Sequence, residues 1–544
     1  MLGGRKVACE PDAAAWRPIL AAVVSGGLMV LAVPGVVPVK VCAWLAWIAL
    51  APLTIALSSA RPARGAWLGW IAGLVFSSGA CAWFPPLIAR FTKWPPALAI
   101  GAAALLWAYH ALPWAAWGAL VALAGRTAWA PLFTATSFVA LERWMPVVFP
   151  ASLGLTQYEH LMVAQVAELG GPFAVTFLLV FFAAAVGAMT KNLVAHRRLP
   201  WTLVITLIGL CGSTALFGTL RLHAIRQERV AASTLRVGLV QGDTAQSGWK
   251  PGVALAPTAQ LARYQRLSAR LEAEEGRLDL LIWPEKAYPF PMRHDAAHDY
   301  PDGNPRRVRQ GFASPLLFGF NAVDGAHHFV TNSAALFDGD GQVRGVYDKI
   351  HLIVWSEWLP AFLDRHVPGG PRYRSGTSLA PMRLPIQGKG EVPVPISTFI
   401  CFESAFPAHV RSLAAAHSQL LVNLSDDSWF GLSAEPDEHM AHAVFRAIES
   451  RRDLVRATGS GKSAFIAATG EIERQSPISA QADGKEGVTL VGHARLLSHR
   501  SWYARMGELF PALCLLFSLV VLLNLLRERR QARRQPVERP RLEI

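Results

Sequence analysis

The sequence predicts a polytopic α-helical membrane domain, a layered α/β domain and a C-terminal transmembrane helix. Three observations lead to this fold class. The 544 residues are 52% hydrophobic and only 17% charged, whereas soluble domains carry about 25% charged residues. Several apolar runs approach the roughly 20 residues that a helix needs to cross a bilayer. Between residues 235 and 499, short apolar runs alternate with polar helical segments, which is typical of an α/β domain.

The apolar runs define the domain boundaries. We predict about seven transmembrane helices in residues 1–220, another at residues 508–526 and a basic cytoplasmic tail at residues 527–544. The spans are assigned to Ile19–Val36, Val41–Leu57, Trp67–Leu87, Pro96–Leu123, Thr127–Ala140, Phe173–Met189, Thr202–Leu220 and Leu509–Leu526. The first run resembles a signal sequence, but further spans follow it at once, so we interpret it as a retained helix.

Strand-like and helix-like runs fill residues 235–499. The predicted strands are Leu235–Gln241, Leu278–Trp283, His328–Phe337, Pro395–Cys401, Leu420–Leu424, Ala464–Ala468 and Val488–Val491. The candidate helices are Leu261–Glu275, Ala408–His417 and Glu438–Arg452. A domain of this length can bury its own hydrophobic core.

Positive charge predicts the orientation in the membrane. The net charge is +14, and arginines are concentrated in the tail after the last span. They are Arg527, Arg529, Arg530, Arg533, Arg534, Arg539 and Arg541. By the positive-inside rule, both ends are expected in the cytoplasm and the α/β domain in the periplasm, although Arg221, Arg226 and Arg229 oppose this orientation. Because no basic stripe with interleaved aromatic residues occurs, nucleic acid is not an expected partner.

Three polar residues that end hydrophobic runs are the candidate catalytic groups. They are Glu285, Lys349 and Cys401, the last being the only cysteine between residues 235 and 499. A free thiol has a pKa near 8.5, so Glu285 can act as the general base that generates a thiolate. Lys349 and the backbone N–H of Phe402 can stabilise the oxyanion. This set predicts covalent acyl transfer, and the membrane context indicates that the acyl group belongs to a lipid.

The residues around these groups resemble a known family. The segments are Trp283-Pro284-Glu285, Tyr347-Asp348-Lys349-Ile350-His351-Leu352 and Ile400-Cys401-Phe402-Glu403. They match, in order and spacing, the Glu, Lys and Cys motifs of the nitrilase superfamily of carbon–nitrogen hydrolases. With several spans before the domain and one after it, the chain resembles the membrane-embedded apolipoprotein N-acyltransferase family of bacteria.

The resemblance implies a nitrilase-like αββα sandwich at residues 235–499 and a set of supporting residues. Glu357, Glu403, Phe402 and Trp249 occupy family positions around the site. The implied reaction moves an acyl chain from a phospholipid to the Cys401 thiol, and then to the N-terminal amine of a diacylglyceryl-cysteine lipoprotein. It implies a multi-pass protein of the inner membrane, and neither a metal nor an organic cofactor. We expect a monomer.

The chain departs from the family pattern near the site. Val354-Trp355-Ser356 stands before Glu357 where Pro-Phe-Gly is usual, and Phe402 stands where tyrosine is common. Lys286 replaces a small polar residue, and Asp426 replaces a common asparagine. None of these changes removes a catalytic group, so they bear on substrate preference.

Two further patterns have simpler interpretations than ligand binding. Gly459-Ser460-Gly461-Lys462-Ser463 resembles the end of a phosphate-binding loop, but Arg456 stands where its first glycine belongs and a strand is predicted to follow. His439 and His442 lie three residues apart with no third ligand evident, and their acidic neighbours are typical of an exposed helix start. None of the six cysteines has metal or redox spacing.

Two alternatives to the acyltransferase remain open from the sequence. A membrane-tethered amidase or hydrolase would pass the acyl group to water instead of an amine. A membrane scaffold of the same fold would be catalytically silent, although the retained Glu285, Lys349 and Cys401 argue against it.

Overall fold

Apolar helices precede two β-sheets, and one long helix follows them. The computed structural model describes residues 16–37, 40–125, 127, 129–243, 255–324, 329–354, 356–358, 373–386, 392–478 and 486–534. The N-terminal helices are Trp16–Leu31, Ala51–Leu57, Pro62–Ala80, Phe84–Thr92, Pro96–His110, Leu112–Ala124, Ala130–Trp144, Leu161–Ala164, Ala167–Gly170, Pro172–His196 and Trp201–Ala231, with 3₁₀ helices at Lys40–Trp47 and Leu153–Gln157. The later helices are Pro257–Glu275, Pro407–Ala415, Glu435–Ser450, Trp502–Met506 and Leu509–Arg534, with 3₁₀ helices at Cys401–Ala405 and Asp427–Trp429.

Several of these helices can cross a membrane. Among the described residues, five stretches are long and apolar enough: Lys40–Leu57, Pro96–Ala124, Pro172–His196, Trp201–Ala231 and Leu509–Gln531. Pro62–Ala80 and Phe84–Thr92 pass the same test together, bent by 64°, and make a sixth if they form one span. The first and fifth predicted spans fall in shorter helices, Trp16–Leu31 and Ala130–Trp144. The number of spans therefore stays a prediction.

Two β-sheets form the centre of the α/β domain. The strands are β1 (Thr234–Gln241), β2 (Leu280–Ile282), β3 (Met292–Arg293), β4 (Leu316–Val323), β5 (Val330–Phe337), β6 (Val343–Asp348), β7 (Met382–Leu384), β8 (Val394–Ile400), β9 (Leu420–Ser425), β10 (Leu454–Thr458), β11 (Ala464–Ile466), β12 (Ile472–Gln475) and β13 (Val488–Arg495). The seven-stranded sheet has the order β13-β1-β2-β4-β5-β6, with β3 paired to β4. The six-stranded sheet has the order β12-β11-β10-β9-β8-β7.

The sheets face each other across one apolar core. Val237 and Leu317 of the first sheet share this core with Ile396 and Val422 of the second. The helix Pro257–Glu275 packs on the outer face of the first sheet. Two helices, Pro407–Ala415 and Glu435–Ser450, contact the second sheet. The layer order is therefore αββα, which confirms the predicted sandwich.

A buried ion-pair network joins the helical region to the α/β domain. Glu168, 1% exposed, accepts two hydrogen bonds of 2.7 Å from Arg221. It also accepts one of 2.6 Å from Arg451, which follows the helix Glu435–Ser450. Gln165 accepts from Arg451 and donates to the carbonyl of Thr469. Because these charges are buried, the contact fixes the two regions against each other.

Candidate active site

Cys401 lies where β8 ends and a 3₁₀ turn begins. Strand β8 runs parallel to β9. At its carboxyl end the chain leaves the sheet and enters the turn Cys401–Ala405. The residue has a φ of +50°, in the left-handed region that non-glycine residues rarely adopt. Such conformations cost about 1–3 kcal/mol and cluster at functional sites. The side chain is buried, and it lines a cavity together with Glu285 and Glu357.

Lys349 and two carboxylates form the charged part of the site. The Nζ atom of the fully buried Lys349 lies 3.7 Å from Oε1 of Glu285 and 2.9 Å from Oε2 of Glu357. Burial alone would lower the pKa of Lys349, but the two carboxylates outweigh it and raise the pKa. Burial likewise opposes ionisation of Glu357, but Lys349 and Lys286 outweigh it and lower its pKa. The lysine is therefore held as an ammonium.

The thiol of Cys401 is neutral at rest. Burial raises its pKa well above the ordinary value, and the nearby Glu285 raises it further, while Lys349 acts in the opposite direction. A buried thiol is a poor nucleophile until a base removes its proton. A nucleophilic role for this thiol would therefore require a general base, and Glu285 lines the same cavity.

Asn332 ties the two carboxylates together. Its Nδ2 donates hydrogen bonds of 2.7 Å to Oε1 of Glu285 and to Oε1 of Glu357. Sequence reasoning missed this residue because it lies inside β5, away from any strand end. The sequence feature that could have indicated it is the polar triplet Thr331-Asn332-Ser333, which interrupts a strand whose later residues are apolar and buried.

Glu403 holds the backbone on both sides of the site through hydrogen bonds. Its carboxylate accepts hydrogen bonds from the N–H groups of Ile350 and His351, just after Lys349, and of Ile400, just before Cys401. The hydroxyl of Tyr347 donates to the same carboxylate. Glu403 therefore joins the lysine segment to the nucleophile turn from a fully buried position.

Gly319 allows the Glu285 turn to lie directly on β4. A Cβ atom at Gly319 would come within 2.6 Å of the Cα of Glu285 and of the backbone N of Lys286. The N–H of Gly319 also donates to the carbonyl of Pro284. Strand β4 was not predicted, because a glycine inside an apolar run weakens a strand pattern. The same glycine makes the close approach possible.

The cavity beside Cys401 is lined by both domains. Trp83, Leu87 and Phe149 come from the helical region, and Phe402 from the nucleophile turn. The rings of Phe149 and Phe402 lie 5.6 Å apart, edge to face. The apolar wall suits an acyl chain, and Phe402 contributes its side chain to that wall. The predicted supporting residue Trp249 lies outside the described residues.

The start of the helix Glu435–Ser450 is buried, so the expectation of an exposed helix start is wrong. Nε2 of His439 lies 3.0 Å from the carbonyl oxygen of Cys401, and its Nδ1 lies 2.9 Å from Nη2 of Arg456. Burial opposes ionisation of Asp427, but Arg456 and His439 outweigh it and lower its pKa to about 2. These contacts buttress the nucleophile turn.

Asp427, Glu435 and His439 have ligand atoms close enough to hold a metal ion. However, both oxygens of Asp427 accept hydrogen bonds from Arg456 at 2.9 Å. A cation at this point would face a guanidinium group that is already paired, and the donor set does not fit a metal.

The strand predicted after the glycine-rich segment of residues 459–463 is present as β11, and Lys462 in that segment pairs with Asp437.

Comparisons with known proteins agree with this architecture. The model of the apolipoprotein N-acyltransferase N-terminal domain matches residues 25–185, and the carbon–nitrogen hydrolase model matches residues 236–481. An apolipoprotein N-acyltransferase of Geobacter metallireducens is 32% identical over 535 residues, which cover 94% of this chain and 95% of that protein. One of Gloeobacter violaceus is 30% identical over 532 residues, 93% of each chain. Among solved structures, Saccharomyces cerevisiae Nit3, of the nitrilase superfamily, aligns at 15% identity with a TM-score of 0.35, over 49% of this chain and 93% of its own.

The fold and the site define a carbon–nitrogen hydrolase domain joined to a helical domain with membrane-spanning helices. The two family matches cover both parts in the same chain order. The chain belongs to the apolipoprotein N-acyltransferase family.

Proposed function

We propose that this protein is an N-acyltransferase of lipoprotein maturation that uses a phospholipid as acyl donor and a diacylglyceryl-cysteine lipoprotein as acceptor. The observation that carries the proposal is the cavity beside Cys401, which places Glu285 and Glu357 against an apolar wall supplied by the membrane domain. Since one chain contributes all the catalytic groups, we propose that it acts as a monomer. Similarity to acyltransferases over nearly the whole chain disfavours an amidase or a silent scaffold.

In the first step, Glu285 takes the proton of the Cys401 thiol. The thiolate attacks the ester carbonyl carbon of the phospholipid, and the Lys349 ammonium stabilises the oxyanion. The bond from the carbonyl carbon to the glycerol oxygen then breaks. Glu285 donates its proton to that oxygen, and the lysophospholipid departs. The acyl chain remains bound to Cys401 as a thioester.

In the second step, the amine of the acceptor attacks the thioester carbon. The carbon–sulfur bond breaks, and an amide forms in its place. Glu285 receives a proton from the attacking nitrogen. It then donates this proton to the leaving thiolate, which regenerates the thiol of Cys401. Burial of the site limits attack by water, which competes with the amine for the thioester.

The decisive experiment mixes the purified full-length protein with phospholipid vesicles and a synthetic diacylglyceryl lipopeptide. We expect a lysophospholipid and an N-acylated lipopeptide in equal amounts. Free fatty acid in place of the N-acylated product would indicate a hydrolase. No release of lysophospholipid would indicate a scaffold.

We also propose that the α/β domain lies in the periplasm and the protein in the inner membrane. The helix Leu509–Arg534 begins at the end of the α/β domain and carries Arg527, Arg529 and Arg530 at its far end. If this helix spans the bilayer, the arginines and the domain lie on opposite faces. The positive-inside rule then assigns the arginines to the cytoplasm.

A reporter that is active only outside the cytoplasm tests this orientation. Fused near Gly484, it is expected to be active, and fused after Ile544, inactive, because the last helix separates the two positions. The measurement is reporter activity in whole cells, normalised to the amount of each fusion. An active fusion after Ile544 would contradict the orientation.

Gln substitutions at Glu357 and Glu403 are expected to act differently. Glu357→Gln removes the charge that orients Lys349 and should slow turnover by about 10²-fold or more. Because Lys349 keeps the carboxylate of Glu285, 3.7 Å away, as a partner, the loss of stability should be smaller than that of Glu403→Gln. Glu403→Gln places an NH₂ group against backbone N–H donors. It should lower the free energy of unfolding by about 1–3 kcal/mol as well as the rate.

Steady-state rates and thermal unfolding of both variants distinguish these outcomes. Glu274→Gln is the matched control, since Glu274 is exposed and pairs with the exposed Arg270 at 2.7 Å. Rates within threefold of the wild type for both Glu357→Gln and Glu403→Gln would contradict their assignment to the site.

A further inference from the structure

Two glutamates at the buried helix start line the cavity of Cys401 without belonging to the catalytic set. Glu435 and Glu438 lie three residues apart on the helix Glu435–Ser450. Residues with this spacing share one face of a helix. Both side chains line the cavity of Cys401, and Glu435 is only 9% exposed. The catalytic thiol and these two carboxylates therefore bound the same space.

Each of the two glutamates has an oxygen without a partner. Oε2 of Glu435 and Oε1 of Glu438 are buried and accept no hydrogen bond of normal geometry from the described residues. Burial raises the pKa of Glu438, and the indole N–H of Trp83 acts on it in the opposite direction. Oε1 of Glu435 lies 3.6 Å from Nδ1 of His439, which leaves Oε2 unused. A buried acceptor without a donor costs about 1–3 kcal/mol, so these atoms are suited to a ligand that donates hydrogen bonds.

The balance of charge in the cavity favours a cation. Four carboxylates line it, and Glu285 and Glu357 are already paired with Lys349 and Asn332. Lys286, the remaining cation of the lining, lies 3.9 Å from Glu357. Neither glutamate pairs with a described lysine or arginine of this lining, so an ammonium group bound between them would supply the positive charge that favours their ionised form. A metal ion is disfavoured, because Arg456 occupies the neighbouring Asp427.

We propose that Glu435 and Glu438 bind the terminal ammonium group of the acyl acceptor and hold it beside the Cys401 thioester. The inference rests on the proposed function, and it assigns the acceptor subsite of that reaction. An α-ammonium group offers three N–H donors and one positive charge, which match two carboxylates with unused oxygens. The acyl donor carries no group of this kind at its ester, so the two carboxylates serve the second step.

Burial supports the same assignment. It raises the pKa of Glu438 to about 8, and the pKa of Glu435 well above its ordinary value, with the adjacent acidic groups adding to the effect at both residues. Free α-amino groups have a pKa of about 8. The raised pKa therefore lets Glu438 accept a proton from the bound ammonium group. The N–H bond breaks, an O–H bond forms, and the nitrogen keeps the electron pair that attacks the thioester.

The two half-reactions of the full-length enzyme separate this role from a structural one. Thioester formation is measured with vesicles of phosphatidylglycerol, whose headgroup carries no ammonium group, and transfer with a synthetic diacylglyceryl lipopeptide added to the acyl-enzyme. We expect Glu435→Gln and Glu438→Gln to raise the KM for the lipopeptide about tenfold or more, as loss of a charged hydrogen bond predicts. The rate of thioester formation should stay within about threefold.

Asp437→Asn is the matched control. Asp437 lies between the two glutamates on the same helix, but it pairs with Lys462 and does not line the cavity of Cys401. Its substitution removes one of the acidic groups that raise the pKa of the two glutamates, but it should change the KM far less than the tenfold expected for the two glutamine variants. An unchanged KM in both glutamine variants, an equal loss in both half-reactions, or a transfer rate that EDTA abolishes would overturn the inference. Failure of the wild type to form the thioester would instead contradict the proposed function on which it rests.

Discussion

Cys401→Ala is expected to abolish acyl transfer and the acyl-enzyme with it. Loss of a catalytic nucleophile costs roughly 10⁶-fold in rate, which makes turnover undetectable. The wild type, mixed with phospholipid and no acceptor, should accumulate one fatty acyl chain on the peptide that contains Cys401. Hydroxylamine should remove this chain, because it cleaves thioesters. Intact-mass and peptide-mass measurements check both results.

Cys81→Ala is the matched control for this experiment. Cys81 lines the same cavity, so it meets the same lipid, but the contacts that surround Lys349 do not include it. Acylation should survive in Cys81→Ala. An acyl group on any residue other than Cys401, or transfer that persists in Cys401→Ala, would refute the mechanism while leaving the fold assignment intact.

Substitution of the base or of the oxyanion partner is expected to slow thioester formation strongly. Glu285→Gln removes the proton acceptor of a thiol whose pKa is raised by burial, and should cost about 10²–10⁴-fold. Its residual rate should rise about tenfold per pH unit, because the thiol must then lose its proton to solvent. Lys349→Met removes the charge beside the oxyanion, and should cost about 10²–10³-fold. Single-turnover acylation measured across a range of pH checks these values.

Lys286→Met separates a specific effect of Lys349 from general loss of positive charge. Lys286 lines the same cavity, but its ammonium lies over the ring of Tyr373, 4.8 Å from the ring centre. We expect this variant to slow acylation less than tenfold. An effect as large as that of Lys349→Met would mean that the overall positive charge of the cavity governs the rate, and not one contact between Lys349 and the oxyanion.

The sequence contained enough information to locate the groups that end strands. Glu285 and Lys349 follow β2 and β6, and Cys401 follows β8, so a pattern of polar residues after apolar runs identifies all three. The alternation of strands and helices indicated an α/β domain, and the resemblance to the nitrilase superfamily implied its αββα layering. Strand β4 was not predicted, because Gly319 weakens the strand pattern of its apolar run.

Residues whose role depends on tertiary packing could not be identified in this way. Asn332 lies in the middle of a strand, and only the fold brings it within 2.7 Å of two carboxylates. The helix start at Glu435 has the composition of a solvent-exposed segment. It is buried because the nucleophile turn and the helical region, including Trp83, enclose it. The local sequence therefore does not predict that this helix start is enclosed.

The network around Glu168 sets a condition for any soluble version of the catalytic domain. Arg451 is 1% exposed, and within the network its partners Gln165 and Glu168 come from the helical region. A fragment that begins at Thr234 would keep the buried guanidinium and lose the carboxylate that neutralises it. Breaking a buried ion pair in this way costs about 3–5 kcal/mol, a large share of the stability of a single domain. A truncated enzyme therefore needs a neutral replacement at Arg451 before its surface is redesigned.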